Sequence, residues 1–316
     1  MSGSPFPVST ELAARWGGLR AARTDAFLAR LGQALFAGGA DPVHPVAVIP
    51  ASVVASLVAD LGLVDSTDAA ILALDAAAAL ARPPISSYRV GVVGIGADSG
   101  DLYLGGNLEF PGASIWQTVH AEGFAALLAR ARGDRLAVLA SPQTRPCAHC
   151  RQVLGEFDGA IGMRLIDPLG HDLRLDDVVP WPFAPGDLGR AGAGPDEGTA
   201  PALEDAASLP EDVAAAFAIA GRRAHAPYSG SRAAVVLRLA DGTLVDGAVL
   251  ESVAFNPTVG PMQDALVGLV AAGRTYADIA HAWLAVRRDA PVNHASPARE
   301  LIAAVAEVPL QTTYWS

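Results

Sequence analysis

The chain has 316 residues, 51% of them hydrophobic, enough to bury the cores of two or three domains. Its 22 cations are all arginine and face 33 carboxylates, and a formal net charge of −11 argues against a polynucleotide partner, which would demand a basic stripe. Two cysteines are too few for a disulfide scaffold, no basic-then-apolar leader opens the chain, and the apolar run at 51–64 is short and holds Asp60; the expectation is a cytoplasmic protein with reduced thiols and no membrane span.

Residues 1–64 read as a helical N-terminal domain. STELAARWGGLRAARTDAFLARLGQALFAGG opens on Ser9 and Thr10, with Glu11 close behind and apolar residues at helical spacing. A second helix is expected over 66–82, capped by Ser66 or Thr67. The texture then changes. Residues 83–110 read as strand, Asp-Ser-Gly turn, strand, followed by a helix over 120–132. LAVLA (136–140) reads as a buried strand, RQVLGEF as a helix and MRLID (163–167) as another strand. Strands alternating with helices indicate an α/β sandwich, and this unit is placed at 65–182. Residues 180–203 are rich in Pro and Gly, so a linker is assigned to 183–203 and a further domain to 204–316.

That last domain repeats the middle one. At an offset of 142, GDLYLGGNLE falls on GTLVDGAVLE, with Gly100 on Gly242, Gly105 on Gly247 and Glu109 on Glu251. In this register His120 falls on Met262, Glu122 on Asp264, Cys147 on Asp289 and Cys150 on Val292, so the second copy lacks the sulfur residues.

Cys147 and Cys150 are three apart, and on a helix starting at Pro146 or Cys147 both sulfurs project near the first turn. Backbone N–H groups and the helix dipole there favour thiolates. Two converging thiolates ask for a metal, and His120, at another predicted helix start, is the best imidazole to join them. Three protein ligands around Zn²⁺ leave the fourth position for water, as in a catalytic zinc site. Glu122 sits where a carboxylate could move protons between that water and a substrate nitrogen.

The ordered set H-A-E (120–122) and P-C-x-x-C (146–150) resembles the cytidine deaminase superfamily. GGNLEFPGASIWQTVHAEGFA, RPCAHCRQVLGEF and, in the second copy, AHAPYSGSRAAVVL and ESVAFNPTVGPMQDAL are similar to the dimeric, two-repeat class of that family. The resemblance implies a duplicated three-layer α-β-α sandwich with a mixed sheet and zinc in the first repeat only. It implies hydrolytic deamination of cytidine and 2′-deoxycytidine in pyrimidine salvage, with a zinc-activated water attacking C4. His120, Cys147 and Cys150 would hold the metal and Glu122 would shuttle protons. Asn107 and Glu109 would grip the ribose 3′-hydroxyl, and a carboxylate there would repel a 3′-phosphate. Tyr88 would lie near the base. Ala254, Phe255 and Asn256 of a partner subunit would wall the pocket of a homodimer. Arg145 stands where the family often has a small residue, and His149 could donate to a thiolate. Three rival readings stay open: a closed structural zinc site with His149 or His171 as fourth ligand, a deaminase of deoxycytidylate, a modified nucleoside or an aminated base, and a zinc-stabilised binding protein without turnover.

Overall fold

The computed structural model describes residues 4–36, 47–142, 146–196 and 198–316; Arg145 lies outside them. The N-terminal region forms one long helix, α1 (Thr10–Phe36), then a short strand β1 (Val48–Ile49) and helix α2 (Ala51–Asp60) over the apolar run. Trp16 and Phe27 of α1 are buried, and the Trp16 indole donates to the buried Asp68. The helix expected over 66–82 is two helices, α3 (Ser66–Leu72) and α4 (Leu74–Ala79). Its cap is neither Ser66 nor Thr67 but Asp65, whose carboxylate accepts from the Thr67 and Asp68 amides.

The middle of the chain builds β2 (Gly91–Gly96), β3 (Leu102–Gly106), α5 (Ala121–Ala131), β4 (Leu136–Ala140), α6 (Ala148–Leu154), β5 (Arg164–Ile166), β6 (Asp172–Arg174) and α7 (Leu175–Val178). Its sheet is mixed, in the order β1-β3-β2-β4-β5-β6, with only β4 and β5 parallel. The C-terminal part repeats it with α8 (Glu211–Arg223), β7 (Ala233–Leu239), β8 (Leu244–Ala248), α9 (Pro261–Ala271), β9 (Ile279–Arg287), α10 (Ala295–Val305) and β10 (Leu310–Trp315). The order β8-β7-β9-β10 copies β3-β2-β4-β5, again with one parallel pair, and both sheets carry a register shift at the same place, Ile95/Gly96 and Arg238/Leu239. The fold is therefore a duplicated α/β sandwich with mixed sheets, as expected.

The shared glycines have a physical reason. A Cβ on Gly105 would lie 2.3 Å from the Ala121 carbonyl oxygen, and one on Gly247 would lie 2.4 Å from that of Pro261. Each glycine lets the start of a helix rest directly on a strand, α5 on β3 and α9 on β8. The same contacts correct the repeat register. Leu108 bridges Val119, whereas Leu250 bridges Val259, so the loop between them is two residues shorter in the second copy. His120 and Gly260 occupy the same cap position, and the counterpart of Glu122 is Met262 rather than Asp264. Beyond Asp289 and Val292, α10 starts after His294 and brings no cysteine.

Candidate active site

Two helix starts converge. His120 is the N-cap of α5 in extended backbone, and Cys147 is the N-cap of α6. The Cys147 sulfur accepts from the Cys150 amide at 3.4 Å. His120 Nδ1 lies 3.2 Å from Cys150 Sγ and 3.6 Å from Cys147 Sγ, and the two sulfurs are 3.4 Å apart. Tetrahedral zinc with its usual bonds would separate such ligands by about 3.6–3.8 Å, so one nitrogen and two sulfurs fit that ion after spreading by a few tenths of an ångström. Among the described residues these three form the single group of His, Cys, Asp or Glu side chains able to share a metal.

The two sulfurs are electrostatically unequal. Cys147 is drawn down to about 4 by its hydrogen bond with Cys150, against its partial burial, with help from the Cys150 amide and the two nearby imidazoles. Cys150 is pushed up by its contact with Cys147, by burial and by the Glu122 carboxylate, to which its S–H donates. A divalent ion binds thiolates, so loading the pair would release the protons its sulfurs carry.

Glu122 is buried in the first turn of α5, its Oε2 3.5 Å from Cys150 Sγ. Burial raises its carboxyl above the ordinary range against the opposing pull of its own amide and His120. A carboxyl beside the metal group that can hold a proton is what proton transfer requires. His149 stacks on His120 with ring centroids 5.9 Å apart, and burial lowers its pKa. His171 is elsewhere, bonded to Asp167 and Ser4.

Asn107 and Glu109 follow β3 and are buried. Asn107 donates to the Tyr88 carbonyl and accepts from the Val90 amide, both at 2.9 Å. Glu109 accepts from the Ile85 and Ser86 amides and from the Ser86 hydroxyl, and although burial opposes it these bonds keep the carboxylate below its ordinary range. Glu251 holds the Tyr228 and Ser229 amides in the same way. Both glutamates therefore clamp a loop, whatever else Glu109 does. Tyr88 is 62% exposed, its backbone tied to Asn107 and Ser86. Ala254 and Phe255 lie in the second repeat and are not among the residues lining the cleft beside His120 and Cys150; Phe255 is 58% exposed with φ +58°.

Sequence reasoning missed how closely the second repeat approaches. Thr258, Val259 and Gln263 line a cleft with His120, His149 and Cys150. Gln263 donates to the Gln117 carbonyl, and Gln117 donates to Glu300. Behind α6, the fully buried Glu156 meets His225 Nε2 at 3.0 Å, accepts from the Tyr228 hydroxyl at 2.5 Å and from the Val253 amide at 2.8 Å. A lone acid just past the end of the P-C-x-x-C helix was the available signal.

Two profiles described as the cytidine and deoxycytidylate deaminase zinc-binding region match the chain, over residues 66–161 and 175–299. Among solved structures, the cytidine deaminase of Mycobacterium tuberculosis is 31% identical over 34% of this chain and 89% of its own, with a TM-score of 0.31. That of Mycobacterium leprae is 29% identical over 34% and 92%, also with a TM-score of 0.31.

Proposed function

The chain belongs to the cytidine and deoxycytidylate deaminase family, and from that premise we propose that this zinc-dependent deaminase hydrolyses cytidine and 2′-deoxycytidine to uridine and 2′-deoxyuridine, releasing ammonia. The observation that carries the reading is the group of His120, Cys147 and Cys150 with Glu122 beside it. When bound there, zinc supplies a polarised water whose proton is easily lost. Glu122 takes a proton from the attacking water and delivers it to N3, which leaves C4 electrophilic. As the C4–N bond breaks, the carboxylate passes the second proton to the departing amine, and C4 is left as a carbonyl. Asn107 and Glu109 hold the 82–90 loop at the substrate's sugar, each with lone pairs or an N–H to spare for a hydroxyl. Tyr88 lies on the base side, and the exposed Phe255 with Ala254 faces a second subunit's site in a homodimer. A place in pyrimidine salvage follows from the free-nucleoside substrate.

A substrate panel with ammonia release and zinc content read on one sample tests this. We expect about one zinc per chain, turnover of both nucleosides, and loss of turnover on chelation that added zinc restores. Turnover confined to deoxycytidylate, or none with zinc in place, would overturn the assignment.

The two loop-clamping glutamates separate binding from stability. Glu251→Gln should lower the unfolding midpoint and leave KM unchanged. Glu109→Gln should lower it similarly and also raise KM by about tenfold, the loss of one charge-assisted bond to substrate. Equal KM in the two variants would remove Glu109 from the substrate site.

A further inference from the structure

The internal repeat exposes a difference between two equivalent places. At the end of α6 the sequence RQVLGEF (151–157) carries Glu156, and RELIAAV (299–305) at the end of α10 carries Ala304 in its place. Arg82 makes the bridge to Leu108 that His225 makes to Leu250, so Arg82 stands for His225. The loop clamp puts Ile85 where Tyr228 is. Pro111, two residues after Glu109, replaces Val253, two after Glu251, and has no N–H to give. One place is thus welded shut by a buried carboxylate, and in the other both the carboxylate and two of its three partners have gone together.

That second place is a cavity of about 500 Å³ between the repeats, its walls formed by Arg82, Arg89, Glu109, Tyr276, Ala304 and Val305, with three prolines. Its polar groups are mostly donors. Arg82 gives one nitrogen to the Ala79, Leu80 and Ala81 carbonyls, and Arg89 gives one to Ala81. Neither forms an ion pair with a carboxylate among the described residues, and each guanidinium has further N–H groups. The Tyr276 hydroxyl is buried with no hydrogen-bond partner among the described residues. Burial pushes that phenol up to about 12, so it stands at neutral pH as an O–H donor. Glu109 is the one acid on the wall, and its bonded oxygens face Ser86 and Ile85. The net charge of these groups is positive and the remainder of the wall is apolar.

We propose that this inter-repeat cavity binds a small organic anion, a carboxylate or phosphate on an apolar body, with Arg82, Arg89 and the Tyr276 hydroxyl holding the charged end. The ligand's acid takes the role that Glu156 plays in the equivalent place. The cavity shares Glu109 and the 82–90 loop with the sugar side of the proposed nucleoside site, but its ligand is a different one and its readout is anion binding rather than turnover, so either reading can fail without the other.

Calorimetry on the zinc-loaded protein tests it with phenyl phosphate, benzoate and inorganic phosphate. At least one aromatic anion should saturate with a Kd of about 1 mM or tighter and exceed inorganic phosphate. Phenyl phosphate binding more tightly points to a phosphoester, benzoate to a carboxylate. Arg89→Gln should weaken binding by about tenfold. Ala304→Glu, which restores the carboxylate from within the chain, should abolish it and raise the unfolding midpoint. Two variants guard against one that folds poorly. No saturation by about 10 mM would overturn the proposal. So would affinity unchanged in both variants, the result expected if the anion sat on zinc instead.

Discussion

Glu122→Gln is expected to lower kcat by about 10³-fold while zinc stays at one per chain, a barrier increase of about 4 kcal/mol. The separation of these two effects follows from the geometry. Glu122 is not one of the three residues that converge on a common point, so its loss leaves the metal's ligands intact. It is buried 3.5 Å from Cys150 Sγ, and no other carboxylate among the described residues shares the metal group. An amide of the same shape keeps the packing but cannot accept a proton at neutral pH. Glu122→Ala should be no better, since a water admitted by truncation is a far weaker base. Loss of cytidine absorbance, with metal content measured on the same preparation, decides the matter. Turnover within about tenfold of the parent in a zinc-replete variant would mean that protons travel by another route.

Glu156→Ala is expected to cost about 3 kcal/mol of stability. The carboxylate is 0% exposed and joins a helix of the first repeat to three points of the second. Truncation strands the Tyr228 hydroxyl and the Val253 amide facing a void, and burial is already pressing on that phenol, whose pKa is raised. Glu156→Gln should fall between, because its amide can accept from one donor but presents its own N–H groups to another. Urea denaturation gives the measure. An unchanged midpoint for Glu156→Ala would mean that apolar packing between the repeats carries the interface alone. Because α6 runs from the Cys147 cap through Cys150 to just before Glu156, the same variant should hold zinc less tightly than the parent.

The metal group was legible because its chemistry is local. Histidine and two cysteines sit at helix starts, where cap geometry fixes their direction within a residue or two. The hairpin repeat was legible because glycine at Gly105 and Gly247 is demanded by the close approach of a helix backbone. The register beyond it was not, since a loop absorbs two residues without leaving a mark in composition. The break at Ala73 was hidden in an alanine-rich run whose propensity is helical throughout. Glu156 escaped notice because its partners lie 69, 72 and 97 residues away, and a single acid in a helical stretch normally faces solvent. Asn107 and Glu109 were read as ligand groups, and their loop-clamping bonds could be known only from coordinates.

Joining both repeats in one polypeptide has a consequence for dilute solution. The weld at Glu156 and the Gln117–Glu300 contact form within a single molecule, so their association is set by tether length and not by how much protein is present. At the effective concentrations of connected partners, in the millimolar range, the halves should stay together even in the trace amounts at which separately encoded subunits would drift apart.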